Sequence, residues 1–221
     1  MNKFWKNYNK KSNFLSKRII KYNEKNNFNF IENYNYNHIR DLFCLITAFA
    51  SIKKKINILD YGSNVLSISN IKNKIDLKRA KIDIFDPYND VYLQNLKKIN
   101  NLIYRIISNF SELKKNNYDV INFGSVFQYD DKIFNTLSEL NYNKNKIIIV
   151  THTPFSLNKK FKCVQQNNKK IVQNIHPLKR VLKFFKLKGY KLIFKSRNSD
   201  GYIKCKNNKY NSVSLNLVFF K

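Results

Sequence analysis

Short β-prone runs alternating with segments of helical periodicity constrain this chain more than anything else in its sequence. Ile56-Asn57-Ile58-Leu59-Asp60-Tyr61-Gly62 reads as a strand closing on an acid and a glycine, and the residues after it, to about Ile75, suit a helix. Lys81-Ile82-Asp83-Ile84-Phe85-Asp86-Pro87 repeats the form, with Pro87 ending the run because it cannot donate to a ladder. Val91 to Asn101 is a helix candidate, Tyr104 to Ile107 a weaker third strand and Tyr118 to Phe123 a fourth, followed by helical periodicity from Lys132 to Leu140. Ile147-Ile148-Ile149-Val150 is the strongest β signal, continuous and β-branched as in a strand buried on both faces. Ser156 to Gln173 reads as a long polar loop, Pro177 to Lys188 as a helix with Gly189 past its end, and Tyr190 to Phe194 with Val213 to Phe220 as an antiparallel hairpin at the sheet edge. This alternation implies βαβ units, right-handed crossovers and a mostly parallel central sheet of Rossmann-like α/β type.

The chain of 221 residues suits one such domain with a short extension. Residues 1–37 are dense in Asn, Lys and Tyr and read as a polar arm or cap, and residues 38–221 as the domain. From His38 to about Lys53, Ile39, Leu42, Phe43, Leu45, Ile46 and Phe49 recur at helical spacing, which predicts a buried helix leading into the core. No apolar run approaches the roughly 20 residues of a bilayer-spanning helix, so a cytoplasmic protein without a membrane span is expected. The formal charge of +28 would draw polyanions. Joint enrichment of Lys, Asn, Ile, Tyr and Phe, however, is what an AT-rich genome imposes, and no Arg-rich or aromatic-interleaved segment offers a stacking platform. A nucleic-acid partner is therefore not the leading expectation. Cys44, Cys163 and Cys205, like His38, His152 and His176, lie far apart, so free thiols and no metal site are expected.

In open α/β sheets ligands lie outside the carboxyl ends of the strands where strand order reverses. After the first strand, Asp60 can accept from an amino group, Gly62 lets backbone approach a cofactor, and Ser63 follows, though Asn64 stands where a second glycine would be expected and a simple strand-to-helix turn is the alternative. Asp86 closes the second strand 24 positions after Gly62, a spacing at which an acid reaches ribose hydroxyls; a solvated strand-end acid is the plainer alternative. Asn109 is placed to contact an adenine edge. Ser125, Gln128 and Tyr129 follow the fourth strand, and His152 and Thr153 the fifth, joining hydrogen-bonding side chains to aromatic rings where a pocket should open. His152 is the one histidine expected near that mouth, as a base for a hydroxyl nucleophile, with an ordinary loop histidine as the alternative.

The order of these features resembles a bacterial family of class I S-adenosylmethionine-dependent methyltransferases associated with surface-polysaccharide gene clusters. Ile58-Leu59-Asp60-Tyr61-Gly62, Asp119-Val120-Ile121, Gly124-Ser125-Val126-Phe127-Gln128-Tyr129, Thr153-Pro154, Val164-Gln165, His176-Pro177 and Gly189-Tyr190 carry the likeness, over roughly Asn37 to the C-terminus. The resemblance implies a class I fold, S-adenosylmethionine as methyl donor and a glycan-related or other small acceptor. It also implies cofactor roles for Asp60, Gly62 and Asp86, and a reaction site lined by Gln128, Tyr129, Thr153 and Gln165. The family usually has more glycine in its first loop than Gly62-Ser63-Asn64 supplies. Two other readings stay open at this point: a catalytically inactive scaffold that keeps the fold, and a nucleic-acid methyltransferase drawn by the basic charge.

Overall fold

The computed structural model of the chain describes residues 41–62, 78–86, 104–107, 109–142, 146–165, 168–197 and 212–221. The expectations for the arm, for the helices after the first and second strands, and for His38, Ser63 and Cys205 lie outside these residues. In chain order the described elements are α1 (Asp41–Ser51), β1 (Ile56–Tyr61), β2 (Ala80–Phe85), β3 (Tyr104–Ile106), α2 (Phe110–Lys115), β4 (Val120–Gly124), a 3-10 turn (Phe127–Tyr129), α3 (Ile133–Ser138) and β5 (Ile147–Ser156). There follow β6 (Phe161–Gln165), β7 (Asn168–Pro177), α4 (Leu178–Leu187), β8 (Lys191–Arg197) and β9 (Ser212–Phe220).

Strands β3, β2, β1, β4 and β5 lie side by side and parallel, β9 adds antiparallel to β5, and β8 pairs antiparallel with β9 at the edge. The sheet is thus mostly parallel with an antiparallel C-terminal pair, as the alternation of runs requires. The chain steps outward from β1 to β3 and returns to β4 on the other side of β1, so strand order reverses between β1 and β4.

Side-chain alternation sends the strands into two cores. Leu59, Tyr61, Ile121, Phe123, Ile148 and Val150 pack on one face with Val181 and Phe185 of α4, while Ile56, Ile58, Val120 and Ile149 pack on the other with Phe43 and Cys44 of α1. Helix α1 is amphipathic rather than buried throughout. Phe43, Cys44, Thr47 and Ser51 face inward, and Leu45 and Phe49 stand exposed. The apolar positions at helical spacing had suggested a buried stripe, whereas the buried one includes Cys44, Thr47 and Ser51, two of them hydroxyl side chains that an apolar pattern does not count.

The segment expected to be a long polar loop is instead largely a hairpin. β6 and β7 pair antiparallel from Phe161↔Ile175 to Val164↔Val172. β5 runs ten residues rather than four, and its far end, Phe155 and Ser156, pairs in parallel with His176 and Pro177 of β7. The register against β9 slips between Val150 and Thr153, a bulge that bends β5 away from β4 and lets β7 take its place alongside.

Candidate functional site

Asp60 and Asn122 are cross-strand partners on β1 and β4, and both are fully buried. They alternate with Ile58 and Val120, so they share the sheet face covered by α1. Asn122 Nδ2 donates to Asp60 Oδ1 at 2.7 Å, while Asn122 Oδ1 is buried without a hydrogen-bond partner among the described residues. A buried amide oxygen left without a donor costs on the order of 1–3 kcal/mol, which makes a position of this kind a candidate for a ligand N–H.

Gly62 turns the chain out of β1 at φ +73°, and its N–H donates to the Phe85 carbonyl at 2.7 Å. A Cβ there would lie 2.7 Å from Val126 Cγ2. Glycine is thus required both by its backbone and by the close seating of the β1 end on the segment after β4. Asp86, half-buried, follows directly, because Tyr61 pairs with Phe85. Ile84 pairs with Asp60, so strand alternation carries Asp86 toward the Asp60 face. Burial, then the charges of Asp130 and Asp86, hold the Tyr61 phenol far above its usual range.

The first residue after β4 and one within the bulge of β5 are the two non-glycine residues of left-handed backbone among those described, Ser125 at φ +56° and His152 at φ +48°, so His152 and Thr153 lie inside β5 rather than after it. Such conformations cost energy and concentrate at functional sites. The N–H of Ser125 donates to the Thr151 carbonyl at 2.8 Å and that of His152 to Asn216 Oδ1 at 3.0 Å, so neighbouring elements fix both bends. Gln128 is buried; its Nε2 donates to Ser125 Oγ at 2.8 Å and its Oε1 has no partner among the described residues. Tyr129, half-buried, closes the same 3-10 turn.

Other expected residues sit differently. Asn109 caps α2, its side-chain oxygen accepting from the Ser111 N–H at 2.9 Å, which ties that oxygen to a structural task. Thr153 is fully buried and its hydroxyl donates back to the Thr151 carbonyl at 2.9 Å. Gln165 ends β6, paired with Asn168 across the hairpin.

The hairpin also brings in residues that the sequence did not single out for chemistry. His176 Nε2 donates to the Asp130 carbonyl at 3.0 Å, which leaves Nδ1 as a buried lone-pair acceptor without a partner among the described residues. Burial pushes its pKa from 6.5 down to about 4, so the ring is neutral near neutral pH. Burial likewise raises the carboxyl of Asp130, against hydrogen bonds from the Lys132 N–H and Thr136. Oε1 of Gln173 and Oδ1 of Asn174, also on β7, are buried with no partner among the described residues. His152 is therefore not the one histidine beside these strands: it lies within β5, while His176 pairs with Phe155 near the end of β5 and reaches Asp130 after β4. Among the described residues no group of three or more His, Cys, Asp or Glu side chains is placed to hold a metal ion.

Several solved structures share this architecture. The chain is similar to a 1,6-didemethyltoxoflavin-N1-methyltransferase of Burkholderia thailandensis bound to its substrate and S-adenosylhomocysteine, with a TM-score of 0.59 and 8% identity over 94% of this chain and 87% of that one. It is similar to magnesium protoporphyrin IX methyltransferase of Synechocystis PCC 6803 with bound S-adenosylhomocysteine, at a TM-score of 0.55 and 13% identity over 84% of each chain. It is also similar to the N-terminal domain of EvdMO1, solved in the presence of S-adenosylhomocysteine and D-fucose, at a TM-score of 0.56 and 7% identity over 86% of this chain and 84% of that one. The fold is that of a class I methyltransferase. At these identities the likeness is one of fold. No family profile and no curated protein sequence matches the chain. In this class I sheet, the reversal between β1 and β4 sets Asp60, Asn122 and Gly62 side by side.

Proposed function

We propose that the chain is an S-adenosylmethionine-dependent methyltransferase acting on an oxygen or nitrogen of a glycan-related or other small acceptor. The observation that carries this reading is the pairing of Asp60 with Asn122 at the strand-order reversal, beside the Gly62 turn and Asp86. These residues fit the cofactor. The unpartnered Asn122 Oδ1 and the Asp60 carboxylate are acceptors suited to an ammonium group, and Asp86 offers two oxygens to ribose hydroxyls.

When bound, the sulfonium supplies an already activated methyl group. The work left to the protein is alignment and exclusion of water, for which a strong base is not obligatory. Gln128 Oε1 is a buried acceptor for a hydroxyl or amine of the substrate, Tyr129 lies beside it, and His152 stands at the bend of β5 as a proton acceptor. Ser63 remains assigned to the cofactor by its place in the loop after Gly62, and Gln165 to the acceptor by the resemblance. The same resemblance supports a glycan-related acceptor, and the presence of D-fucose with a protein of this fold is compatible with it.

Isothermal titration of the full chain with S-adenosylmethionine and with S-adenosylhomocysteine tests the reading: saturable binding of both is expected, and no heat from either at millimolar ligand would remove it. The glycine-poor first loop favours a second reading, a binding module that holds the cofactor without turnover. Methylated product from a glycan extract would exclude that one.

A further inference from the structure

Charge is not evenly spread along this chain. Thirteen of its fourteen acids precede residue 140, and Asp200 alone follows, while Lys and Arg continue throughout. A base-composition bias that enriches Lys gives no reason for acids to vanish from one stretch of the sequence. The segment from Leu178 to Arg197, which is α4, its turn and β8, holds six Lys, two Arg and no acid.

The fold turns that segment into one amphipathic surface. Val181 and Phe185 of α4 face the core, where the Phe185 ring lies 4.6 Å from that of Phe219. Lys179, Arg180, Lys183, Lys186 and Leu187 are exposed, and at 100° per residue they occupy an arc of about 120° on the opposite side. Gly189, at φ +87°, turns the chain directly into β8. There Leu192, Ile193 and Phe194 are 39%, 61% and 42% exposed between Lys191 and Lys195, and Leu187 is 75% exposed. None of Lys179, Lys183, Lys186, Lys191, Lys195 and Arg197 has an ion pair among the described residues.

Four large apolar side chains among cations that have no ion pair with the described residues are not a packed protein interface in waiting. β8 is the outermost strand, but the register slip at Ile193 and the flanking Lys discourage addition of another strand. A second copy of this face would meet its own positive charge. A nucleic acid would favour Arg and stacked aromatics, whereas Lys predominates here and Phe194 is the one large exposed aromatic of the segment. Aliphatic side chains ringed by Lys match an anionic lipid interface, where apolar groups enter the headgroup boundary and ammonium groups remain at the phosphates.

We propose that α4 and β8 form a docking surface for an anionic bilayer, seated through Leu187, Leu192, Ile193 and Phe194 and held by the surrounding Lys and Arg. Docking is peripheral: no helix among the described residues is long and apolar enough to cross a membrane.

Co-sedimentation of the full chain with vesicles tests it. The protein should pellet with equal parts phosphatidylcholine and phosphatidylglycerol, remain in solution with phosphatidylcholine alone, and be released by high salt. Lys183→Glu with Lys186→Glu should weaken partition at least about tenfold, and Ile193→Ser with Phe194→Ser should weaken it several-fold at unchanged charge. Lys81→Glu on β2 with Lys115→Glu at the end of α2 removes the same charge on the far side of β1 from α4 and β8 and should change partition less than about twofold, with circular dichroism confirming that every variant is folded. Failure to pellet with anionic vesicles, equal loss from both pairs of charge reversals, or displacement from the vesicles by single-stranded RNA would each overturn the proposal.

Discussion

At Gly62 the left-handed backbone and the nearness of Val126 act together, so Gly62→Ala should lower stability by about 1–3 kcal/mol in urea unfolding. Asn122→Ala withdraws the amide donor from a buried carboxylate and should cost about 1–3 kcal/mol, while also weakening S-adenosylhomocysteine about tenfold or more by titration. His176 yields a pH test. Its folded pKa of about 4 lies below the ordinary 6.5, so between those values the unfolded chain takes up a proton that the folded one refuses. Stability attributable to this ring is complete above about pH 6.5 and falls by about 3 kcal/mol as pH drops toward 4. Asp130, whose carboxyl is raised, works in the opposite sense, so the informative quantity is the difference between the parent and His176→Gln, which keeps a donor for the Asp130 carbonyl. That difference should shrink with falling pH when urea midpoints are compared at pH 7.5 and 5, and a constant difference would contradict the assignment. Asp60 and Asp86 were visible in the sequence because acids closing β-prone runs stand out. Asn122 was hidden inside the run Val120-Ile121-Asn122-Phe123, where a lone polar residue was the available signal, and His176 because its chemistry arises from contact with a segment 46 residues away.

Periodicity revealed the elements whose burial it reflects directly. Strands β1, β2, β4 and the start of β5 lie where the β-prone runs put them, and α4 ends at Leu187 with Gly189 just past it, as expected. The β6–β7 hairpin was not legible because β7 buries Gln173, Asn174 and His176, side chains that a hydropathy pattern counts as exposed. For the same reason α1 was read through Leu45 and Phe49, which face outward, rather than through Thr47 and Ser51, which face in. The packing of α4 is open to test through Phe185, fully buried against Phe219. Phe185→Ala should destabilise the protein by about 3–5 kcal/mol in urea unfolding, whereas exposed Leu187→Ala should change stability by no more than about 0.5 kcal/mol.

At the scale of the molecule, the five parallel strands β3, β2, β1, β4 and β5 reverse their order between β1 and β4, and Asn122 and Gln128, each with a buried oxygen lacking a partner among the described residues, lie on β4 and just after it. That topology was readable from the order of runs, since alternation of β and α segments leaves few other ways to wind a sheet. The cofactor reading follows from what lies at the reversal, and ligand binding there should raise the thermal midpoint with S-adenosylhomocysteine concentration, by mass action on the folded state. The most direct measurement is a crystal structure of the full chain with S-adenosylhomocysteine. The amino group of the ligand should lie against Asp60 and Asn122 and its ribose against Asp86; a ligand bound elsewhere, or a ribose turned away from Asp86 with no ligand atom at Asn122 Oδ1, would rule this placement out.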